Sequence, residues 1–185
     1  MLVLPSDGEL RRLVHAAQGQ SPEAFSALYD LFAAPLVRYF RCGVAEMQRA
    51  EDLVGPTFVA LIDVIGEVRL PRHGATLVFV GWLYQLAARH LRTWLDCQRN
   101  DRELAARAVG GESDDDARTD SPIANGQFHG AFGRLTAEQQ MVVVLRCVER
   151  LSLPEVAVSL GLSVAHVASV QHKGLAVLAD CAQPA

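Results

Sequence analysis

Apolar residues recur at every third or fourth position through most of the first 108 residues, the spacing that places side chains on one face of an α-helix. No segment in this part alternates apolar and polar residues as a half-buried strand does. The pattern therefore predicts a helical domain over residues 1–107. Four segments carry it: residues 7–18 (DGELRRLVHAAQ), 21–43 (SPEAFSALYDLFAAPLVRYFRCG), 47–68 (MQRAEDLVGPTFVALIDVIGEV) and 77–108 (LVFVGWLYQLAARHLRTWLDCQRNDRELAARA).

The helical periodicity is lost over residues 108–130, where Gly, Ser, Asp, Asn and Pro accumulate. Residues 101–135 hold seven acidic side chains against four arginines, whereas residues 1–100 hold ten of each. This composition predicts a flexible acidic linker over residues 108–130. Two interpretations of its run SDDDARTD remain open: the charges only solubilise the linker, or they mask a basic surface elsewhere in the chain.

Helix-start and helix-stop signals are dense in the last third of the chain. TAEQ at 136–139 and SLPE at 152–155 both have the spacing of a capping box, in which two side chains satisfy free backbone N–H groups of the first turn. Gly161 can adopt the left-handed conformation that ends a helix, and Ser163 can cap the next helix. Residues 131–185 are therefore predicted to form a helix-turn-helix domain. Its inward positions are Val156, Ala157, Leu160, Leu162, Val167 and Val170.

Composition places the chain among globular proteins of the cell interior. Of its 185 residues, 50% are hydrophobic and 21% charged, and the net charge of −4 argues against coating nucleic acid or membrane by electrostatics alone. The start, MLVLPSDGELRR, lacks the pattern of a signal peptide, and the apolar run at residues 75–88 is too short to span a bilayer. We expect a cytoplasmic protein without membrane insertion.

Enzymatic chemistry is not predicted. The four cysteines are widely spaced and form no C-x-x-C pair, so neither a disulfide framework nor a zinc site is indicated. No Ser-His-Asp set, carboxylate pair, glycine-rich phosphate loop or metal cluster has the required spacing. We therefore expect no catalytic residue, metal, cofactor or small-molecule substrate.

The order of the motifs resembles that of the extracytoplasmic-function (ECF) sigma factors, which direct bacterial RNA polymerase to promoters. AFSALYDLFAAPLVRYF, AEDLVGPTF and GWLYQLAARHLRTWL look like successive helices of the domain that grips polymerase and melts the minus-ten element. LTAEQQMVVVLRCVERLSLPEVAVSLGLS looks like the domain that reads the minus-35 element. The resemblance implies two small helical domains and, as partners, core RNA polymerase and promoter DNA. By family habit, an anti-sigma factor is a third partner.

The resemblance places the polymerase contact in the third segment, at Glu51, Asp52, Leu53 and Val54. An equally open interpretation makes the two apolar residues core and the two acids a solvated helix face. Gly55 and Pro56 stand where the family usually carries Gln-Glu, and they either kink this helix or begin it. Trp82, Leu83 and Tyr84 match the start of the family's melting helix, although core positions are the more frequent role for such side chains.

The densest basic stretch follows in the same helix, where an aromatic ring is interleaved with arginines. Guanidinium groups meet phosphates and a ring stacks on an unstacked base, so this segment is predicted to hold melted DNA. A merely solvated basic face is the alternative. The predicted residues are Arg89, Arg92, Trp94, Arg99 and Arg102.

The third helix of the C-terminal domain would read promoter DNA, but the Lys and Arg of the family pattern are missing there. Ala168 and Val170 stand at positions where the family carries charge. His166 and His172 are six residues apart, so they do not share a face as metal ligands would, and they are also open to interpretation as plain polar surface. The remaining candidates for DNA contact are Ser163, His166, Ser169, Gln171, His172 and Lys173.

These observations predict a sigma factor that directs promoter-specific initiation. An alternative is a degenerate sigma-like regulator that acts through protein contacts and reads little DNA, because its recognition helix has lost charge. A helix-turn-helix repressor or response-regulator output domain is disfavoured, since the N-terminal motifs show neither a ligand pocket nor a phosphoacceptor region.

Overall fold

The computed structural model describes residues 4–109 and 123–182, and within these ranges the regular structure is helical and no strand is present. The predicted all-α fold is thereby confirmed. The N-terminal part contains α1 (Asp7–Gln18), α2 (Pro22–Gly43), α3 (Met47–Asp52), α4 (Val54–Val64), a 3-10 turn (Ile65–Glu67) and α5 (Ala75–Val109). The C-terminal part contains α6 (Ile123–Arg134), α7 (Ala137–Val143), a π-helical turn (Val144–Val148), α8 (Leu153–Leu160) and α9 (Val164–Ala182).

The capping signals of the C-terminal part are formed as predicted. The backbone N–H of Gln139 donates to the Thr136 hydroxyl (3.2 Å), and the Gln139 side chain accepts from the Thr136 backbone N–H (2.9 Å). Ser152 and Glu155 make the same reciprocal pair at the start of α8. Local side chains therefore satisfy N–H groups that the first turn leaves free, so these helix starts follow from a few adjacent residues.

The third predicted segment contains a break that periodicity did not reveal. Leu53 separates α3 from α4, and α4 begins at Val54, so Pro56 lies in its first turn. A first-turn residue has no intrahelical partner for its N–H, so a proline there removes no hydrogen bond. Gly55 and Pro56 thus begin a helix and do not kink one. The Thr57 hydroxyl donates to the carbonyl oxygen of Leu53 (2.9 Å) across this junction.

Both ends of the predicted linker range, residues 108–130, are helical in the part of the chain that the structure describes. Helix α5 runs to Val109 and α6 begins at Ile123, inside the predicted range 108–130, while residues 110–122 lie outside the described residues. The glycine-rich sequence IANGQFHGAFGR has weak helix propensity. Tertiary packing compensates, because Phe132 is fully buried and Ala131 nearly so, and α6 contacts both α2 and α9.

Aromatic side chains fill the core between α2 and α5. Phe32 packs on Phe79 with ring centroids 5.4 Å apart, and Tyr39 meets Tyr84 edge-on at the same distance. All four side chains are almost wholly buried. Such pairs contribute packing energy beyond simple burial of area, so they hold α5 firmly against α2.

The two predicted domains contact each other closely. Helix α8 lies against α5, and one continuous cluster of buried apolar side chains extends through both halves. The closest approach is at Gly81, where an added Cβ would overlap the Ser159 carbonyl oxygen and lie 2.5 Å from its carbonyl carbon. Only glycine permits the two helix backbones to come so near at this crossing.

Candidate nucleic-acid interface

The predicted helix-turn-helix is formed by α8, a short turn and α9. Gly161 ends α8 with φ of 67°, the left-handed conformation that glycine adopts without strain. The backbone N–H of His166 donates to the Ser163 hydroxyl (3.2 Å), which caps α9 as predicted. The chain bends by 102° between the two helices, within the range typical of this motif.

The outer face of α9 is accessible but carries little charge. Ser169, His172 and Lys173 are exposed together, because residues three and four apart lie on one side of a helix. Two alanines, Ala165 and Ala168, share the same stripe. The structure thus brings three of the predicted DNA-contact residues together on one exposed surface.

The other candidates in this region make internal hydrogen bonds. The imidazole Nε2 of His166 lies 2.9 Å from Oε1 of Glu138. The amide oxygen of Gln171 accepts from Nε of Arg146 at 3.1 Å, and the same guanidinium donates to the carbonyl oxygen of Leu151. These bonds tie α9 to α7 and to the π-helical turn. Ser163, His166 and Gln171 therefore hold α9 in place in this structure, and DNA contact by them stays a prediction.

The basic segment of α5 is accessible at the surface of the protein. Arg89, Arg92 and Arg99 are exposed, and Trp94 is half-buried against the core. Arg99 is 3.6 Å from Asp96, one turn earlier. The side chain of Arg102 lies outside the described residues. The three guanidinium groups are therefore accessible on a single helix, whereas Trp94 packs on its inward side, and DNA contact by these residues stays a prediction.

The electrostatics of this stretch favour a neutral imidazole among the arginines. Partial burial, and to a smaller extent the nearby Arg89 guanidinium, lower the pKa of His90. A cavity of about 330 Å³ lies beside Arg92 and Arg99, closed on its other side by residues 133–136. Arg92 and Arg99 therefore border a polar cleft between the two halves of the chain.

The predicted polymerase contact divides into exposed and buried residues. Glu51 and Asp52 are exposed at the end of α3, and the Gln48 amide donates to the Asp52 carboxylate (3.2 Å). Leu53 is half-buried, whereas Val54 is only 2% exposed. Val54 thus supports the core, and the two acids form the accessible part of this predicted site.

The sequence interpretation missed a buried polar cluster between the halves. Glu149, only 2% exposed, accepts two hydrogen bonds from Arg38, from Nε to Oε1 (3.1 Å) and from Nη2 to Oε2 (2.8 Å). The Tyr84 hydroxyl donates to the same Oε1 (3.1 Å). Hydrogen bonding to Glu149 raises the pKa of Arg38, and burial raises that of Tyr84. The sequence signal for this cluster was the position of Glu149, an acidic residue directly after the mainly apolar run MVVVLRCV.

Burial distinguishes the two interpretations of Trp82, Leu83 and Tyr84, which match the start of the family's melting helix. Leu83 and Tyr84 are fully buried and Trp82 is half-buried against the core. The core interpretation therefore describes these three side chains in this structure.

Neither a metal centre nor a membrane span emerges from the described part of the chain. Within residues 4–109 and 123–182, no three or more His, Cys, Asp or Glu side chains are grouped as ligands of an ion. In the same ranges no single helix has the length and apolar character needed to cross a membrane, while α8 and α9 taken as one bent pair do meet that test.

Comparison with known proteins supports the motif order. Residues 131–180 match the family described as Sigma-70, region 4. The chain is 28% identical over 176 residues to the ECF RNA polymerase sigma factor BldN of Streptomyces coelicolor, an alignment covering 92% of this chain and 64% of BldN. It is 25% identical over 167 residues to the ECF RNA polymerase sigma factor SigX of Bacillus subtilis, covering 84% of this chain and 82% of SigX. The chain therefore spans less than two thirds of BldN.

The fold has a counterpart among solved structures. CnrH, solved in complex with the cytosolic domain of CnrY, superposes with a TM-score of 0.61 at 23% identity, covering 92% of this chain and 94% of CnrH. The helix-turn-helix at residues 131–180, the helical N-terminal half and relatives that align along both halves point to the same conclusion. The chain is similar to extracytoplasmic-function RNA polymerase sigma factors along both halves, and its residues 131–180 match Sigma-70, region 4.

Proposed function

We propose that this protein binds core RNA polymerase and directs promoter-specific transcription initiation. The observation that carries the proposal is the helix-turn-helix with an accessible outer face on α9, located within the segment that matches Sigma-70, region 4. The two relatives that align along most of the chain are both named ECF sigma factors. They do not favour the alternative of a degenerate regulator.

In this proposal residues 131–185 read the minus-35 element. Helix α9 enters the major groove with Ser169, His172 and Lys173 toward the DNA, while α8 crosses the backbone. Lys173 can contact phosphate or guanine, and its neighbours can hydrogen-bond base edges. Since few cations are present, affinity through this helix is modest and weakly dependent on salt.

The N-terminal domain, residues 1–107, supplies the remaining contacts in this proposal. Arg89, Arg92 and Arg99 hold the phosphates of the melted strand at the minus-ten element, and Trp94 offers its ring to an unstacked base. Glu51 and Asp52 face the core polymerase. The activity is binding and placement alone, without catalysis or a cofactor, and it takes place in the cytoplasm.

An inhibitory protein is part of the same proposal. Members of this family are commonly held inactive by an anti-sigma factor, and CnrH was solved bound to a cytosolic domain of CnrY. We propose that an anti-sigma factor likewise engages this chain.

Run-off transcription with purified core polymerase on a pool of promoter fragments tests the function. We expect specific transcripts that require the protein. Lys173→Glu should reduce them, and the matched control Arg11→Glu, an equal change of charge on an exposed position of α1, should not. Binding to core polymerase without any specific transcript would contradict the proposal and support the degenerate regulator.

A further inference from the structure

Arg150 adopts a backbone conformation that its residue type normally avoids. Its φ of 62° lies in the left-handed region, and among the described residues other than glycine only Gln20, with φ of 65°, does the same. A residue with a Cβ is strained there because the Cβ approaches the following carbonyl oxygen, whereas glycine is not strained. Backbone strain of this kind is concentrated at functional sites, so the side chain at this position requires an explanation.

Local hydrogen bonds explain the conformation of residue 150 but not the presence of an arginine. Arg150 lies just after the π-helical turn. The backbone N–H of Glu149 donates to the carbonyl oxygen of Val144 (3.0 Å), and that of Leu151 donates to the carbonyl oxygen of Leu145 (2.9 Å). Bonds that close a helix end in this way place the residue between them in the left-handed conformation, where glycine is the usual residue.

The Arg150 side chain is exposed, and the acidic residues next to it in sequence are engaged elsewhere. Glu149 is buried and pairs with Arg38 (2.8 Å), and the Glu155 carboxylate accepts from the backbone N–H of Ser152 (2.7 Å). No ion pair within residues 4–109 and 123–182 includes Arg150. The guanidinium is therefore accessible to an anionic partner.

Arg146 links the turn that contains Arg150 to α9. The Arg146 guanidinium donates to the carbonyl oxygen of Leu151 and to the amide oxygen of Gln171 in α9 (3.1 Å). Arg150 also lies two residues before Ser152, the N-cap of α8. It is thus located where the chain enters the helix-turn-helix, in a turn that is hydrogen-bonded to α9.

We infer that Arg150 binds a phosphate of the DNA backbone, as a second cation beside Lys173. The inference rests on the proposed function, in which α8 crosses the DNA backbone while α9 lies in the major groove. Arginine suits this role because its planar guanidinium forms paired hydrogen bonds with phosphate oxygens. Internal hydrogen bonds occupy Arg146, so Arg150 and Lys173 are the exposed arginine and lysine of residues 144–182.

Salt titration of duplex binding by the full chain, followed by fluorescence anisotropy, tests this contact. Arg150→Gly removes the guanidinium and suits the left-handed conformation, so loss of the fold does not account for weaker binding. We expect several-fold weaker binding to two duplexes of unrelated sequence, since a phosphate contact carries no sequence information. The slope of log K against log salt should become shallower by about 0.9 for one lost contact.

Further variants separate the charge from the backbone strain. Arg150→Gln keeps a Cβ and loses only the charge, so it should change the slope as Arg150→Gly does, whereas Arg150→Lys should preserve the slope. Gln20→Gly relieves the same strain between α1 and α2, and Arg11→Gln removes a charge from an exposed position of α1. Neither control should change the slope.

Three results would overturn the phosphate contact. They are an unchanged slope with Arg150→Gly and Arg150→Gln, weaker binding to one duplex but not the other, and no measurable duplex binding by the unchanged protein at low salt.

Failure of this contact and failure of the proposed function are separable. Promoter-specific transcripts together with an unchanged slope would retain the sigma activity and remove Arg150 from the DNA surface. A shallower slope on both duplexes without specific transcripts would retain the phosphate contact and overturn only the proposed sigma activity.

Discussion

Helices α5 and α9 are both predicted to contact promoter DNA, yet their exposed surfaces differ in charge. Helix α5 exposes Arg89, Arg92 and Arg99 beside a half-buried Trp94. Helix α9 exposes one lysine among alanines and small polar side chains, and two of its polar residues are engaged with α7 and the π-helical turn. Positive charge that can bind DNA phosphates is therefore concentrated on α5, whereas α9 offers mainly hydrogen-bonding groups.

This difference predicts a division of labour. Phosphate contacts dominate the affinity and salt dependence of DNA binding, whereas base-edge contacts determine sequence preference. We therefore expect α5 to contribute most of the affinity for opened promoter DNA. Helix α9 should contribute selectivity and comparatively little affinity.

The largest effect is expected from reversing charge on α5. Arg92→Glu combined with Arg99→Glu replaces two attractive phosphate contacts with repulsion and should reduce promoter-dependent transcription on the order of 100-fold. Run-off transcription measures the loss. Arg11→Glu with Arg12→Glu, on the exposed side of α1, makes the same change of charge and should leave transcription intact. Equal transcription by the two double variants would show that α5 does not hold the DNA.

A smaller loss is expected from the only lysine of the chain. Lys173→Glu removes the single cation on the exposed stripe of α9 and should weaken binding to a duplex promoter fragment about 10-fold. Gel-shift titration at several salt concentrations measures this. A loss as large as that of the α5 double variant would contradict the proposed division between the two helices.

Adding a positive charge to α9 should strengthen DNA binding and so tests the same difference between α5 and α9. Ala168→Arg places a guanidinium on the exposed stripe and should strengthen duplex binding a few-fold, with the slope of log K against log salt steeper by about 0.9 for one added phosphate contact. Ala16→Arg, at an exposed position of α1, is the control for net charge. An unchanged slope with Ala168→Arg would place this face of α9 away from the DNA.

The smallest effect is expected at the His166–Glu138 pair. Both side chains are nearly half exposed, so solvent screening limits the pair, and Glu138→Gln should lower the free energy of unfolding by less than about 1 kcal/mol. Urea denaturation measures the stability. Duplex binding should stay the same, because His166 acts here in positioning α9. A clear gain in binding by Glu138→Gln would instead assign the released imidazole to DNA.

The presence of most helices could be predicted from the sequence, because the features that indicate a helix are local. The apolar periodicity of α1, α2 and α5, the capping boxes before α7 and α8, and the left-handed Gly161 each depend on residues a few positions apart. The break at Leu53 and the glycine-rich α6 escaped prediction. The break at Leu53 interrupts the helix although the apolar periodicity continues across it. Helix α6 has a sequence of weak helix propensity and is stabilised by packing on α2 and α9.

By itself, the sequence determined the all-α class, the positions of most helices and the resemblance to extracytoplasmic-function sigma factors, since these follow from short-range spacing and from the order of motifs. Only the tertiary structure decided which side chains are free. It paired His166 with Glu138, buried Val54, and brought Glu149 to Arg38 across 111 positions of sequence. Contacts of that separation depend on how the two halves pack, and nothing in the spacing of apolar residues specifies a partner so far along the chain.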